Sequence, residues 1–243
     1  MITTIINYCS LDKRFIWPQV EQAKCFSNEI IIVFFDHLLN GKSDFYEVTE
    51  SLKGISGIKL LPLPFNPEMS GRFHHNFSRW CGAGLAACEW ILFLDGDEII
   101  NGSGMQNSIN NLSPFEFDAV TFECFWYFRE PTNQAVITEN AGLLVRKSKI
   151  DVNVNFTERE RWAYLESPNI STIPSICGLE GPIMHHYSWV RNRQDMIDKV
   201  TSWGHKGEKD WAALVEAEFN KPLGDTDFVH GYQYRKVSNF FKV

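Results

Sequence analysis

The chain has no C-x-x-C pair, no G-K-[ST] tripeptide, no apolar run near the ~18 residues of a membrane span and no excess of basic side chains. Each absence removes a class of function. The six cysteines (Cys9, Cys25, Cys81, Cys88, Cys124, Cys177) are scattered, whereas a zinc knuckle or a disulfide framework needs clustered spacing in a small chain. They read as reduced thiols packed like small hydrophobes. Without G-K-[ST] there is no P-loop. With 30 acidic against 23 basic side chains and a net charge of −7, there is no basic surface to displace counterions from phosphates, so nucleic acid is not an expected partner. No transmembrane segment is expected, and no signal-peptide flank accompanies the first strand-like run, Thr3–Ile6, so the expected location is the cytoplasm. What the chain does have is core material: 44% of its 243 residues are hydrophobic and 14% aromatic, enough for one large domain or two small ones.

The first hundred residues alternate between strand-like and helix-like segments. Thr3–Tyr8 is a short apolar run broken by Asn7, and Trp17–Ser27 has helical spacing at Val20, Ala23 and Phe26. Glu29–Phe35, ending at Asp36, lacks alternation and reads as a strand buried on both faces. Ile58–Leu63 is a third strand. A helix over about 77–88 follows, with Phe77, Trp80, Gly84 and Ala87 on one stripe and small residues that let it lie close to a sheet. Trp90–Leu94 is a strand running straight into Asp95-Gly96-Asp97-Glu98. This order predicts right-handed crossovers and a parallel sheet. Beyond it, 101–113 reads as a polar loop, Ala119–Phe128, Ala141–Val145 and Thr172–Ile176 as strands, and about 193–203 and 209–219 as helices.

The acidic strand end is the most informative feature. Carboxylates at i and i+2 past a buried strand lie together at the C-terminal edge of the sheet, where open α/β sheets bind ligands. With phosphate oxygens they suit Mg²⁺ or Mn²⁺, and Gly96 lets the backbone turn and approach a ligand. An EF-hand needs an oxygen ligand and a glycine where this chain has Ile99 and Ile100. A haloacid-dehalogenase-like phosphatase, with Asp95 as nucleophile, shares the letters, but its nucleophile strand opens the domain.

The stretch Arg79-Trp-Cys-Gly82-Ala-Gly-Leu-Ala-Ala-Cys-Glu-Trp-Ile-Leu-Phe-Leu-Asp95-Gly-Asp97-Glu98 resembles the central segment of GT-A glycosyltransferases, especially those like family two. The segment order over 3–98 matches as well; the rear half matches loosely. The resemblance implies an α/β GT-A fold with a mixed, mostly parallel sheet flanked by helices. It implies a single domain over 1–243: a nucleotide-sugar half (1–100), an acceptor and metal-completing half (101–192) and a C-terminal helical segment (193–243). The implied activity is metal-dependent transfer from a UDP- or GDP-sugar to a glycan, lipid-linked or other hydroxyl acceptor, in polysaccharide synthesis. Asn7 and Asp36 sit where the family contacts base and ribose, Arg79 where it places a donor-site basic residue, Asp95 near the ribose or metal, and Asp97 as a direct metal ligand. Asn7 and Asp36 serve equally as turn formers.

A histidine of the rear half commonly completes the family's metal shell. His185 and His186 fall in such a place, and strand geometry sends them to opposite faces; the H-Y-x-x-V-R pattern selects His186. His74 and His75 read as loop residues before the Arg79 helix. Arg191 and Arg193 suit a diphosphate, but pairing with Asp195 and Asp198 is favoured. An inverting transfer, the expectation here, needs a carboxylate base. Glu139, Asp151, Glu158, Glu160 and Glu166 compete, and Glu158 and Glu160 are the choices, although a solvated strand explains their alternating charges as well. Trp126, Tyr127, Trp162, Tyr164, Tyr187 and Trp189 either stack on sugars or fill the core; one or two are expected in an acceptor cleft. A degenerate transferase fold that only binds a nucleotide or glycan is the non-enzymatic alternative.

Overall fold

The computed structural model describes residues 1–243 apart from 112–115, 152, 154–160, 162–163, 165–169, 171–174 and 179–180. Four strands form a parallel block: β1 (Ile2–Asn7), β2 (Glu29–Phe35), β3 (Lys59–Leu63) and β4 (Trp90–Asp95), in the order β3-β2-β1-β4. The first, second and fourth are almost wholly buried, as their unalternating apolar runs require. The sheet continues through β7 (Glu130–Arg146), antiparallel to β4, then β6 (Ala119–Phe128), β9 (Met184–Trp189) and β5 (Glu98–Ile100), while β8 (Ser175–Ile176) pairs with β6 and β10 (Tyr234–Lys236) with β7. The architecture is the expected α/β one: a mixed, mostly parallel sheet with helices against it. Among the described residues no helix is long and apolar enough to cross a membrane, and all six cysteines are free thiols.

The α-helices among the described residues are α1 (Lys13–Ala23), α2 (Phe45–Ser51), α3 (Gly71–Leu85), α4 (Gly102–Asn111), α5 (Arg193–Ser202) and α6 (Trp211–Phe219), with short 3-10 turns at Ser10–Asp12 and Lys147–Lys149. Helix α1 begins four residues before the expected Trp17, with Pro18 inside it. The proline forfeits one backbone bond, and full burial of Phe15 and Ile16 in the preceding turn outweighs that loss. Helix α3 likewise starts early, at Gly71, because the Ser70 hydroxyl caps it by accepting from Phe73 N at 3.1 Å. His74 and His75 therefore lie in a helix, not a loop. The stretch 101–113 is not a loop either: Asn101 Oδ1 accepts from Gly104 N at 2.8 Å and Met105 is fully buried, so one apolar anchor and a cap suffice for α4. β7 is far longer than the predicted Ala141–Val145 because its polar first half pairs with β6 on one side and β10 on the other.

The small residues of α3 set its distance from the sheet. A Cβ on Gly82 would lie 2.7 Å from Ile5 Cγ2 and 3.1 Å from Val33 Cγ2, whereas one on Gly84 would meet nothing within 4 Å. The expectation is opposite signs: Gly82→Ala lowers stability by about 1–2 kcal/mol through overpacking, and Gly84→Ala raises it by up to about 1 kcal/mol through helix propensity. Urea denaturation of the two variants measures both.

Candidate functional site

Parallel strands β1 and β4 pair in register so that Asn7 lies beside Asp95. β2 ends on the other side of β1, its Val33 beside Asn7. These C-terminal ends open into a cleft of about 530 Å³ lined by Asn7, Asp95, Asp97, His186, Lys199 and Trp126, among others, a volume suited to a small-molecule ligand. Of the residues predicted from sequence, Asn7, Asp95, Asp97 and His186 meet there. Asp36 stands just outside, where Oδ1 accepts from Phe65 N and bonds His37 Nδ1, both at 2.8 Å. Burial there would raise its pKa, but these bonds hold it below the ordinary carboxylate value. Arg79 is almost fully buried and meets the site through Asp95, donating from Nη2 to Oδ1 at 2.6 Å. Glu158 and Glu160 lie outside the described residues, as do Trp162 and Glu166.

The acidic turn is held by Glu98, Arg161 and Gln19, to which nothing local in the sequence assigns that role. Glu98, fully buried, accepts from Asp95 N at 2.8 Å and is clamped by the Arg161 guanidinium, with Nη1 at 2.6 Å from Oε2 and Nη2 on Oε1. Arg161 also stands 3.9 Å from Asp95 Oδ2. It is 8% exposed, so the segment's alternating charges do not mark a solvated strand at that position. Gln19 of α1 donates to the Asp95 carbonyl at 2.7 Å. Gly96 does not have a left-handed backbone; it is there for closeness, because a Cβ would lie 2.8 Å from Asp12 Oδ2. That contact brings a third aspartate, Asp12, beneath the turn.

Asp97 is surrounded by cations. Lys199 Nζ donates to its Oδ2 at 2.7 Å and to Ser188 Oγ at 2.8 Å. Arg191 Nη2 is 3.5 Å from the same oxygen, and His186 Nε2 is 3.3 Å from Oδ1. Burial alone would raise the Asp97 pKa, but Lys199, His186 and Arg191 hold it well below the ordinary carboxylate range. Asp12 goes the other way: burial and the Asp97 charge push its pKa up, against the pull of Arg191 and Lys199. For His186, burial favours the neutral ring, and the bond to Asp97 overcomes it, so its pKa is raised. Arg191 does not pair with Asp195 or Asp198. It is buried on Asp12 and Asp97, while Arg193 pairs with Glu216 on α6.

As arranged, the expected donors Asp95, Asp97 and His186 do not fit a divalent ion. Asp97 already carries an ammonium on one oxygen and an imidazole on the other. Among the described residues four carboxylates (Asp12, Asp95, Asp97, Glu98) face four basic side chains (Arg79, Arg161, Arg191, Lys199), so this cluster lacks the net negative charge that a hard cation requires. Among the described residues no group of three or more His, Cys, Asp or Glu side chains is arranged to hold a metal.

The two neighbouring histidines separate as strand alternation predicts. His185 points away from the cleft: its Nδ1 bonds Tyr127 Oη at 2.7 Å, and it packs against Tyr187, Phe240 and Phe241. Tyr127, Tyr164, Tyr187 and Trp189 are core. Among the described residues, Trp126, whose ring centroid is 4.2 Å from that of His186, and the largely buried Trp189 are the predicted aromatics that line the cleft, joined there by Trp203 from the loop after α5 and Trp211 of α6.

No family model matches the chain, and no curated protein matches it. Solved structures do. Residues 1–349 of S. aureus TarS in complex with UDP-GlcNAc are 13% identical, with a TM-score of 0.51 over 90% of this chain and 71% of that one. The UDP complex is 11% identical, with a TM-score of 0.50 over 90% and 72%. At such identity the likeness speaks for the fold, and the fold is the GT-A fold expected from the Arg79–Glu98 segment. The nucleophile-first architecture of the phosphatase alternative is absent, since β1, β2 and β3 all precede the acidic strand.

Burial pushes the His185 pKa down to about 4. The unfolded chain takes up that proton near pH 6.5, so the stability contributed by the neutral buried ring is complete above about 6.5 and is lost as pH falls from there toward 4. Wild type is therefore expected to lose on the order of 3 kcal/mol across that window from this group, and His185→Gln to show a correspondingly flatter profile in urea titrations at pH 7, 6, 5 and 4.

Proposed function

We propose that the chain is a glycosyltransferase that takes a nucleoside-diphosphate sugar in this cleft and passes the sugar, with inversion, to a hydroxyl of a glycan or lipid-linked acceptor. The observation that carries the reading is the placement of Asp95 and Asp97 at the end of β4, beside Asn7 and at the lip of the cleft. The GT-A fold supports it, as does the presence of UDP-GlcNAc in the structurally similar TarS. Asn7 and Asp36, at the ends of β1 and β2, hold the base and ribose; Asp95, fixed by Arg79, sets the ribose and diphosphate. Mn²⁺ or Mg²⁺, the cofactor implied by the Asp95-Gly96-Asp97 resemblance, would neutralise the departing diphosphate; the charge balance around Asp97 argues for a different source of that neutralisation.

The acceptor hydroxyl must lose a proton as its oxygen attacks the anomeric carbon. Glu158 and Glu160 remain the proposed acceptors of that proton. Glu139 is the competing candidate on the described wall of the cleft, where its Oε1 accepts from Tyr232 Oη. Trp126 offers a flat apolar face to a sugar ring.

Two measurements test the reading. UDP or GDP is expected to raise the melting temperature of wild type, and Asp95→Ala to lower transfer from a panel of UDP- and GDP-sugars by about 100-fold or more. Nucleotide binding without any turnover across that panel would instead indicate a binding protein. Among Glu139→Gln, Glu158→Gln and Glu160→Gln, the variant of the true base loses roughly 10²–10⁴ in rate while keeping its affinity for the nucleotide; the other two stay near wild type.

A further inference from the structure

We infer that Lys199 is the built-in cation of this site: its ammonium occupies the place at Asp97 that a divalent ion would take, and it receives the diphosphate of the donor directly. The inference rests on the transferase reading above and concerns what neutralises the leaving group. Three observations carry it. Lys199 Nζ is bonded to Asp97 Oδ2 at 2.7 Å and to Ser188 Oγ at 2.8 Å, which uses two of its three N–H donors among the described residues and leaves one for a ligand. The side chain lines the cleft alongside Asp95 and His186, so a group entering the cleft can reach the ammonium. Among the described residues the carboxylates Asp12, Asp95, Asp97 and Glu98 are matched by Arg79, Arg161, Arg191 and Lys199, so an entering divalent ion would have to displace Lys199 from Asp97, whereas an entering diphosphate meets the Lys199 ammonium on the cleft wall, which Arg161 also lines.

Asp97 is thereby a positioning residue rather than a metal ligand. It fixes the ammonium from one side, with Ser188 on the other, and a fixed charge stabilises a developing one without reorganisation. In the transfer, the acceptor oxygen forms its bond to the anomeric carbon as the bond from that carbon to the β-phosphate oxygen breaks. The electron pair of the broken bond leaves on the nucleoside diphosphate, where the Lys199 ammonium and the Arg161 guanidinium meet it, and the hydroxyl proton passes to the carboxylate base. No step requires a further reactant.

The test uses the full chain, with calorimetric binding of UDP and transfer from UDP- and GDP-sugars, each in EDTA and in Mn²⁺. Wild type is expected to bind UDP with the same Kd within about threefold in both buffers and to turn over at the same rate within about twofold. Mn²⁺ paramagnetic resonance should show no more bound ion with protein and UDP than with UDP alone. Lys199→Met should weaken UDP binding and cut turnover by about 100-fold or more in EDTA, and Lys199→Arg should recover part of both, which a merely structural role would not give. Unchanged melting temperatures for Lys199→Arg show that the fold is intact should Lys199→Met fail to fold. Wild-type turnover abolished by EDTA and restored by Mn²⁺ overturns the inference and leaves the transferase reading standing. So does wild-type-like activity of Lys199→Met in EDTA. A wild type that neither binds nucleotide nor turns over any donor in either buffer overturns the transferase reading itself, and the inference with it.

Discussion

The structure is organised around a buried acidic turn that can exist only because every charge in it is answered. Asp95, Asp97 and Glu98 leave a strand whose flanks are closed by sheet, and bringing carboxylates out of water is costly unless each is paired and hydrogen-bonded. Arg79 answers Asp95, Arg161 answers Glu98, and Lys199 with Arg191 answers Asp97 and Asp12. Because removing one partner would leave its neighbour buried and unpaired, the network fixes the positions of all of them. A site that holds its geometry before a ligand arrives is the electrostatic condition for stabilising a charged leaving group.

Much of the front half was legible from residue types. Strands β1, β2 and β4 announce themselves as unbroken apolar runs, and the step from Leu94 into Asp95 marks where a ligand edge lies. Pleat alternation separates His186 from His185 without any knowledge of what surrounds them, and β9 sends the one to the cleft and the other into an aromatic pocket. The parts that stayed hidden are those set by distance in the chain. Lys199 meets Asp97 across 102 residues and Arg191 meets Asp12 across 179; nothing local distinguishes Lys199 from a solvated lysine, and the nearby Asp195 and Asp198 offered Arg191 a plausible but unused partner. Arg161 was disguised in the same way, as one charge in an alternating run.

Helix α4 is hidden for a similar reason. Polar α4 has little periodicity, yet Met105, buried in the main core cluster, and an asparagine cap hold it. Gly82 and Gly96 act through closeness rather than backbone freedom. Gly96 suggested a backbone bend, but the contact that demands it is the carboxylate of Asp12; Gly82 and Gly96 both mark places where two parts of the fold must touch.

Lys199 and Arg191 come from the rear of the chain, whereas Asp12 and Asp97, which they meet, come from the front half. A chain cut ahead of Val190 keeps β1, β2 and β4 but loses both cations, leaving Asp12 and Asp97 with a burial cost that these partners no longer offset. The front half is therefore no self-sufficient module: truncation destabilises the very edge that opens the cleft.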